Sequence, residues 1–79
     1  MRIDVQYFAV LRDRRGLSRE SVETDARTAS DLYLVLADAH GLRLPLESVR
    51  AAVEDEFVPM GYELKEGDSV TFIPPVAGG

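Results

Sequence analysis

The sequence predicts an α+β domain in which one amphipathic helix packs across one face of a mixed sheet of four to five strands. Three observations support this fold class. Segments near both ends of the chain have the residue types of strands, and one segment between them has helical periodicity with marked ends. The composition, with 46% apolar and 29% charged residues, is that of a globular chain. A helix and a sheet that each have one apolar face bury both by packing together.

The first predicted element is a half-buried strand near the start of the chain. Apolar residues alternate there with polar ones, as in a strand with one buried face, at positions Ile3, Val5 and Tyr7. Phe8 breaks this alternation because its parity places it on the solvent side. We therefore expect Phe8 either to be covered by a neighbouring segment or to be exposed for a partner.

A charged turn is predicted over residues 12–16, which read Arg-Asp-Arg-Arg-Gly. Gly16 suits a position with positive φ. Three arginines could bind a phosphate, but clusters of this kind are more often solvated loops, and we interpret this one as a loop. A second strand over residues 20–24 then forms an antiparallel hairpin with the first.

The helix has clear start and end signals. Thr28 is a hydroxyl N-cap three residues before the acidic Asp31. Gly41 suits the left-handed position after the last turn, and His40 lies beside the negative end of the helix dipole. As the sole histidine, His40 is interpreted as an incidental residue rather than a ligand. Apolar residues recur at helical spacing and predict the buried face: Leu32, Val35, Leu36 and Ala39.

The second half of the chain predicts three more strands. Residues 42–46 form a leucine-rich connection that packs against the core edge, and residues 49–53 are apolar enough for a central strand. After the acidic turn Glu54-Asp55-Glu56, a short return strand over residues 57–58 ends at Pro59. Three adjacent carboxylates could attract a divalent cation, but they point in different directions, so we interpret them as a solvated turn and predict no metal site.

The last strand determines the architecture. Residues 60–64 form an irregular loop, and residues 65–68 form a tight turn with Gly67 at positive φ. The final strand covers residues 69–73. If the first and last strands lie side by side at the centre of the sheet, they run parallel, which is the β-grasp arrangement found in ubiquitin. We predict a β-grasp domain over residues 1–73 and an extended tail over residues 74–79.

The tail is predicted to carry the function. Pro74 and Pro75 donate no backbone hydrogen bond and fix φ, so the chain leaves the sheet as a stiff, extended segment. Two side chains and two glycines follow, in the order Val76, Ala77, Gly78 and Gly79. A stiff proline segment that ends in two glycines is unusual at the end of a domain, and we expect the terminal carboxylate of Gly79 to be the functional group.

Composition excludes several classes of function. A net charge of −5 argues against a nucleic-acid partner and favours a partner with a positive face. No apolar run approaches the roughly 20 residues of a membrane span, and we expect a cytoplasmic protein. The chain has no cysteine, so thiolate metal sites and cysteine nucleophiles are ruled out. No catalytic set converges, and we expect a protein that is not an enzyme on its own and binds no cofactor.

Both ends of the chain resemble the small subunits of molybdopterin synthase. Residues 5–12 read Val-Gln-Tyr-Phe-Ala-Val-Leu-Arg, like the opening of that family. Residues 67–79 read Gly-Asp-Ser-Val-Thr-Phe-Ile-Pro-Pro-Val-Ala-Gly-Gly, which is similar to its closing motif almost position by position. The acidic turn Glu54-Asp55-Glu56 departs from the family, whose members often have an asparagine-containing turn there.

The resemblance implies a sulfur carrier. A ubiquitin-activating-like adenylyltransferase would use ATP to adenylate Gly79, and a sulfur donor enzyme would convert the product to a thiocarboxylate. The tail, Pro74 to Gly79, would then enter the large catalytic subunit, where the sulfur passes to a cyclic pyranopterin precursor of the molybdenum cofactor. Alternatives are a carrier for thiazole (thiamine) synthesis or tRNA thiolation, a ubiquitin-like protein modifier, and a passive interaction module with an inert tail.

Strand parity predicts a docking surface beside the tail. Val70 and Phe72 face the core. Ile73 therefore faces outward, as do Phe8 and Phe57 on their own strands, and these three would form an exposed apolar patch of the kind that marks protein interfaces. The alternative is that the loop over residues 60–64 covers one or more of them.

Overall fold

A five-stranded mixed sheet with one long helix on one face forms the body of the protein. The computed structural model describes residues 1–75. The strands are β1 (Arg2–Tyr7), β2 (Arg19–Glu23), β3 (Arg50–Val53), β4 (Glu56–Val58) and β5 (Ser69–Ile73). The helices are α1 (Val10–Arg15) and α2 (Ala29–His40), with a short 3₁₀ helix over Leu46–Ser48.

The order of strands in the sheet is β2-β1-β5-β3-β4. The first and last strands pair in parallel at its centre, with Val5 opposite Val70 and Tyr7 opposite Phe72. Every other pairing is antiparallel. The order and the central parallel pair confirm the predicted β-grasp arrangement, in which one strand from each end of the chain forms the middle of the sheet.

The core lies between the sheet and α2. The alternating residues Ile3, Val5 and Tyr7 are at most 1% exposed, which confirms the predicted inner face of β1. From β5, Val70 and Phe72 are fully buried as predicted. Side chains from outside α2 and the five strands complete the core, among them Leu11, Leu42, Val49 and Leu64. Burial of a large apolar side chain contributes roughly 1.5–3 kcal/mol, so this layer carries most of the stabilisation.

The ends of α2 match the prediction, but its buried face does not. Thr28 caps the helix by accepting a hydrogen bond from the N–H of Asp31, and Gly41 follows the last turn with φ of 62°. Val35 and Ala39, predicted to be buried, are exposed. The residues that face the sheet are Ala29, Leu32, Tyr33 and Leu36. The buried face of α2 is centred closer to Tyr33 than predicted. The ring of Tyr33 packs against Phe72, and its hydroxyl donates to a backbone carbonyl, so both parts of the side chain are satisfied in the core.

The predicted charged turn is instead a short helix. α1 spans Val10–Arg15, and only its end at Gly16, with φ of 88°, follows the prediction. Leu11 is fully buried and anchors this turn of helix to the core. Since one buried leucine in a highly charged segment leaves no visible apolar period, sequence periodicity could not reveal the helix.

The remaining connections agree with the predictions in outline. The turn between β3 and β4 places Glu54 and Asp55 at positive φ, as two-residue hairpin turns require. Gly67 has φ of 85° in the turn before β5. The loop over residues 60–64 is irregular and is hydrogen-bonded to the start of α2, where the N–H of Ser30 donates to the carbonyl of Met60.

Candidate functional site

The face of the sheet opposite α2 is the outer face. Strand parity and register place side chains on it in rows that cross the sheet. One row contains Gln6, Thr71, Ala52 and Phe57, and the next contains Ile73 and Arg50. The second row is at the end of β5 that leads into the tail, so the outer face continues directly into the predicted functional segment.

Three apolar side chains were predicted to form a patch here, and we call Phe8, Phe57 and Ile73 the outer patch. Phe8 is 54% exposed and Phe57 is 61% exposed, while Ile73 is half-buried. The loop over residues 60–64 therefore covers neither phenylalanine. The exposure of these rings agrees with the parity argument, whereas their role in binding a partner remains a prediction.

Arg50 is a member of this surface that the sequence did not single out. It is exposed, pairs with Ile73 across the sheet, and its guanidinium carbon lies 4.7 Å from the centroid of the Phe57 ring. This distance is within the range of a cation–π contact. The outward parity of Arg50 and Phe57 was visible in the sequence, but only the register of the hairpin shows that they are diagonal neighbours.

The orientation of Phe8 depends on an unusual backbone conformation. Ala9, the next residue, has φ of 51° and ψ of −124°, close to the first central position of a type II′ turn. The N–H of Leu11 donates to the carbonyl of Phe8 across this turn at 3.0 Å. Glycine dominates that position because a Cβ is strained there. The turn ends β1 immediately after Tyr7 and leaves Phe8 at the tail-proximal end of the outer face.

The first two residues of the predicted tail differ in their surroundings. Pro74 is buried and Pro75 is exposed, so the described chain emerges from the body at Pro75 rather than at Pro74. Proline at both positions limits φ to about −65° and keeps this segment stiff. The other residues predicted for the tail, Val76, Ala77, Gly78 and Gly79, lie outside the described residues, and their roles stay predictions.

A polar network supports the opposite, inner side of β1. The hydroxyl of Tyr7 donates to the carboxylate of Glu20 at 2.6 Å, and Arg15 donates two hydrogen bonds to the same carboxylate, both at 2.8 Å. The hydrogen bonds from Arg15 lower the pKa of Glu20, against the effect of its partial burial. Burial raises the pKa of Tyr7, and the Glu20 carboxylate raises it further. The network joins α1, β1 and β2 just below the turn that orients Phe8.

Comparison with known proteins identifies the family. Residues 5–79 match the model of the ThiS family, which is nearly the whole chain. The chain belongs to the ThiS family. This result confirms the relationship inferred from the two ends of the sequence. The ThiS-family chain is also similar to the molybdopterin synthase sulfur carrier subunit of Chlamydomonas reinhardtii, with 36% identity in an alignment of 83 positions that covers 100% of both proteins.

Solved structures resemble this ThiS-family chain over all or nearly all of its length. The putative molybdopterin converting factor, subunit 1, from Pyrococcus furiosus is 27% identical, with a TM-score of 0.77 over 96% of this chain and 99% of that one. A chain in the complex of subunits 1 and 2 of the molybdopterin-converting factor from Helicobacter pylori is 25% identical, with a TM-score of 0.67 over 100% of each chain. Both similarities support the β-grasp assignment.

Other candidate sites in this ThiS-family chain have structural explanations. Of the clustered arginines, Arg15 binds Glu20, Arg14 donates to the carbonyl of Leu42 at 2.6 Å, and Arg12 is 3.7 Å from Asp13. The three guanidinium groups therefore contact different partners and, in the described residues, do not converge on one point as a phosphate site would need. His40 is half-buried at the end of α2. In residues 1–75, no group of three or more histidine, aspartate or glutamate side chains is placed to hold a metal ion.

The helices of the described part of the chain are all too short or too polar to cross a membrane.

Proposed function

We propose that this chain is the sulfur carrier subunit of molybdopterin synthase. The observation that carries the proposal is the end-to-end similarity to a protein of that name, which extends to the final residue of the sequence. The family match likewise extends to residue 79. In this function the carboxylate of Gly79 receives the sulfur, and the folded body presents it to each partner in turn.

The chemistry explains why activation must precede sulfur transfer. A carboxylate is a poor electrophile until one oxygen becomes part of a good leaving group. An adenylyltransferase of the ubiquitin-activating type joins the Gly79 carboxylate to the α-phosphorus of ATP and releases pyrophosphate. A sulfur donor then displaces AMP and leaves a thiocarboxylate. This chain supplies the acyl group, and the activating enzyme supplies the ATP site.

The second half of the cycle requires a large catalytic subunit. The thiocarboxylate enters its active site and gives its sulfur to a cyclic pyranopterin precursor. A solved complex of subunits 1 and 2 of a molybdopterin-converting factor contains a chain similar to this one, which supports an assembly of this kind. Glycines at 78 and 79 suit passage through a narrow channel because they lack a Cβ. The transferase reaction belongs to the complex, with this chain as its non-catalytic, sulfur-carrying part.

The geometry of the described residues supports this division of labour. The outer patch of Phe8, Phe57 and Ile73 lies at the edge of the body from which Pro75 emerges. A partner that covers the patch would be positioned to receive the tail. Proline at the base of the tail also reduces the conformational entropy lost when the tail becomes ordered in the partner.

Intact-mass measurement tests the proposal directly. The chain is incubated with the activating enzyme and sulfur donor encoded in the same genome, together with ATP. Replacement of one oxygen by sulfur is the expected result, and it should require ATP. Covalent addition to lysines of other proteins would indicate a protein modifier, and an unchanged mass with a competent activating enzyme would indicate an inert tail. Either of these results would contradict the proposal.

A deletion variant separates the tail from the body. Removal of Gly79 should abolish thiocarboxylate formation and molybdopterin production, because the acyl group is displaced from the activating site. The free energy of unfolding measured in urea should change by less than about 0.5 kcal/mol, as is usual when a terminal residue is removed. Sulfur transfer to a thiazole precursor or to tRNA, instead of the pyranopterin, would assign the chain to one of the alternative carriers.

A further inference from the structure

The guanidinium group of Arg50 occupies a central place on the outer face. Arg50 is exposed on β3, its guanidinium carbon lies over the Phe57 ring at 4.7 Å from the centroid, and it pairs with Ile73 across the sheet. It therefore lies between two members of the outer patch. A cation–π contact uses none of the N–H donors of the guanidinium, so they stay free for solvent or a partner.

The other contacts of Arg50 leave its hydrogen-bonding capacity unused. Within residues 1–75, Arg50 takes part in no salt bridge and donates no side-chain hydrogen bond, in contrast to the doubly bonded Arg15. An arginine has five N–H donors in a planar fork that matches a carboxylate. Within residues 1–75 the Arg50 guanidinium therefore has no carboxylate partner, although the chain as a whole has a net charge of −5.

The charges on the outer face are separated along the strands. Asp4 pairs with Ser69 at the start of β5, and the exposed Asp55 lies in the turn at the same end. Arg50 and the outer patch lie at the other end, where β5 leads into the tail. Arg19 also lies on the outer face at this end, but on the edge strand β2, where it donates to the side chain of Gln6. A partner that covers the part of this end formed by β5, β3 and β4 meets the Arg50 guanidinium beside apolar side chains, and a carboxylate is the group that complements it.

We propose that Arg50 determines the specificity of the large-subunit interface by binding a carboxylate of that subunit, with the Phe57 ring as its support. This inference rests on the proposed function, and it names the chemistry of the partner at one point of the contact. The carboxylate accepts two parallel hydrogen bonds from the guanidinium. Covering by the partner's apolar residues lowers the local dielectric and strengthens the pair relative to an exposed one.

A different role for Arg50 would leave a different signature. In the alternative role, the methylene groups and guanidinium of Arg50 do no more than shield the exposed Phe57 ring from water, as long cationic side chains do on many surfaces. In that case the charge and the fork geometry would be unimportant to the partner. Lysine and glutamine substitutions separate the two roles. Lysine keeps the positive charge but cannot donate two parallel hydrogen bonds, and glutamine keeps part of the aliphatic chain but has no charge.

The test measures binding to the purified large subunit encoded in the same genome, by surface plasmon resonance at two salt concentrations, about 0.05 M and about 0.3 M. Arg50→Gln is expected to raise Kd by about 10-fold or more at low salt and to reduce its salt dependence. Arg50→Lys should give an intermediate Kd. Arg19→Gln is the matched control, because Arg19 is an exposed arginine on the same face and at the same end of the sheet, but β1 and β5 separate its strand, β2, from β3. It should change Kd by less than about 2-fold.

The outcomes separate this inference from the proposed function. If the unaltered chain binds the large subunit and Arg50→Gln binds equally well with the same salt dependence, the role of Arg50 is wrong and the carrier function stands. If the unaltered chain does not bind, both are overturned. Self-association that sedimentation shows to be lost in Arg50→Gln would assign the surface to a second copy of the chain, which would also overturn the inference. Unfolding curves of each variant check that the exposed substitutions leave the fold intact.

Discussion

The ring of Tyr33 on α2 meets the ring of Phe72 on β5 edge-on, with centroids 5.5 Å apart and an interplanar angle of 64°. Both residues are fully buried. The hydroxyl of Tyr33 also donates to the carbonyl of Leu44 at 2.7 Å, which satisfies its polar atom inside the core. One contact thus joins the helix to the strand that precedes the tail. It also accounts for the rotation of α2 that exposes Val35.

Loss of the Phe72 ring should destabilise the whole domain. Phe72→Ala removes a fully buried ring at the centre of the sheet, and the free energy of unfolding should fall by about 3–5 kcal/mol. Urea denaturation, monitored by circular dichroism, measures the change. Thr71→Ala, on the outward side of the same strand, is the control and should cost less than about 1 kcal/mol. Equal losses in the two variants would contradict the assignment of the two faces of β5.

The Glu20 network should make stability depend on acid pH. The folded-state pKa of Glu20 is lowered, mainly by its hydrogen bonds from Arg15, whereas an unfolded glutamate titrates near 4.3. The stabilisation is therefore fully present above that pH and is lost as the pH falls through the lower folded-state pKa. Glu20→Gln should reduce the free energy of unfolding at pH 7 by about 1–2 kcal/mol.

The same variant should flatten the pH profile of stability below about pH 4.3, because the proton-linked group is gone. Urea midpoints measured across this range test it. Glu47→Gln replaces an exposed carboxylate and should leave the profile of the unaltered protein in place. If both variants flattened the profile equally, the Arg15–Glu20 contact would not be the source of the acid sensitivity.

The turn at Ala9 should be relieved by glycine. Its φ of 51° and ψ of −124° strain a residue with a Cβ, so Ala9→Gly should raise the free energy of unfolding by about 1 kcal/mol despite greater freedom of the unfolded chain. Thermal unfolding measures the gain. Ala37→Gly, within α2, has the opposite expected sign and should cost about 1 kcal/mol. Destabilisation of similar size at both positions would show that Ala9 is not strained.

The N-cap of α2 should contribute measurably to stability. Thr28 accepts a hydrogen bond from the N–H of Asp31 at 3.1 Å, so Thr28→Ala should lower the free energy of unfolding by about 1 kcal/mol. Thr28→Ser keeps the hydroxyl and should cost only a few tenths of that. The comparison of urea midpoints between the two variants isolates the cap, and identical midpoints would argue against it.

The strands and the ends of the long helix were predictable because their signals depend only on residues that are close together in the sequence. The alternation of Ile3, Val5 and Tyr7 shows which face of β1 is buried, whatever packs against it. Caps are local in the same way, and both Thr28 and Gly41 have the predicted roles. The need to cover one sheet face with one helix predicted the layers. The parallel pairing of β1 and β5 was predicted only on the condition that these strands are neighbours at the centre of the sheet, and the structure shows that they are.

The two local errors have the same origin. The apolar residues of α2 are compatible with more than one buried face. The contact between Tyr33 and Phe72, which are far apart in the chain, selects the face that leaves Val35 exposed. α1 was missed because its stability depends on burial of Leu11 and not on its own periodicity. Propensity is weak where tertiary packing decides.

The candidate site also has features that the sequence predicted and features that only the fold decided. The sequence by itself determined the strand parity that exposes Phe8 and Phe57, and the tail motif that indicated the family, because both are properties of consecutive residues. Only the tertiary structure decided that Arg50 lies over Phe57 and that Pro74 is buried. Such contacts depend on the register between strands, which is set by packing and by turn geometry across the whole sheet.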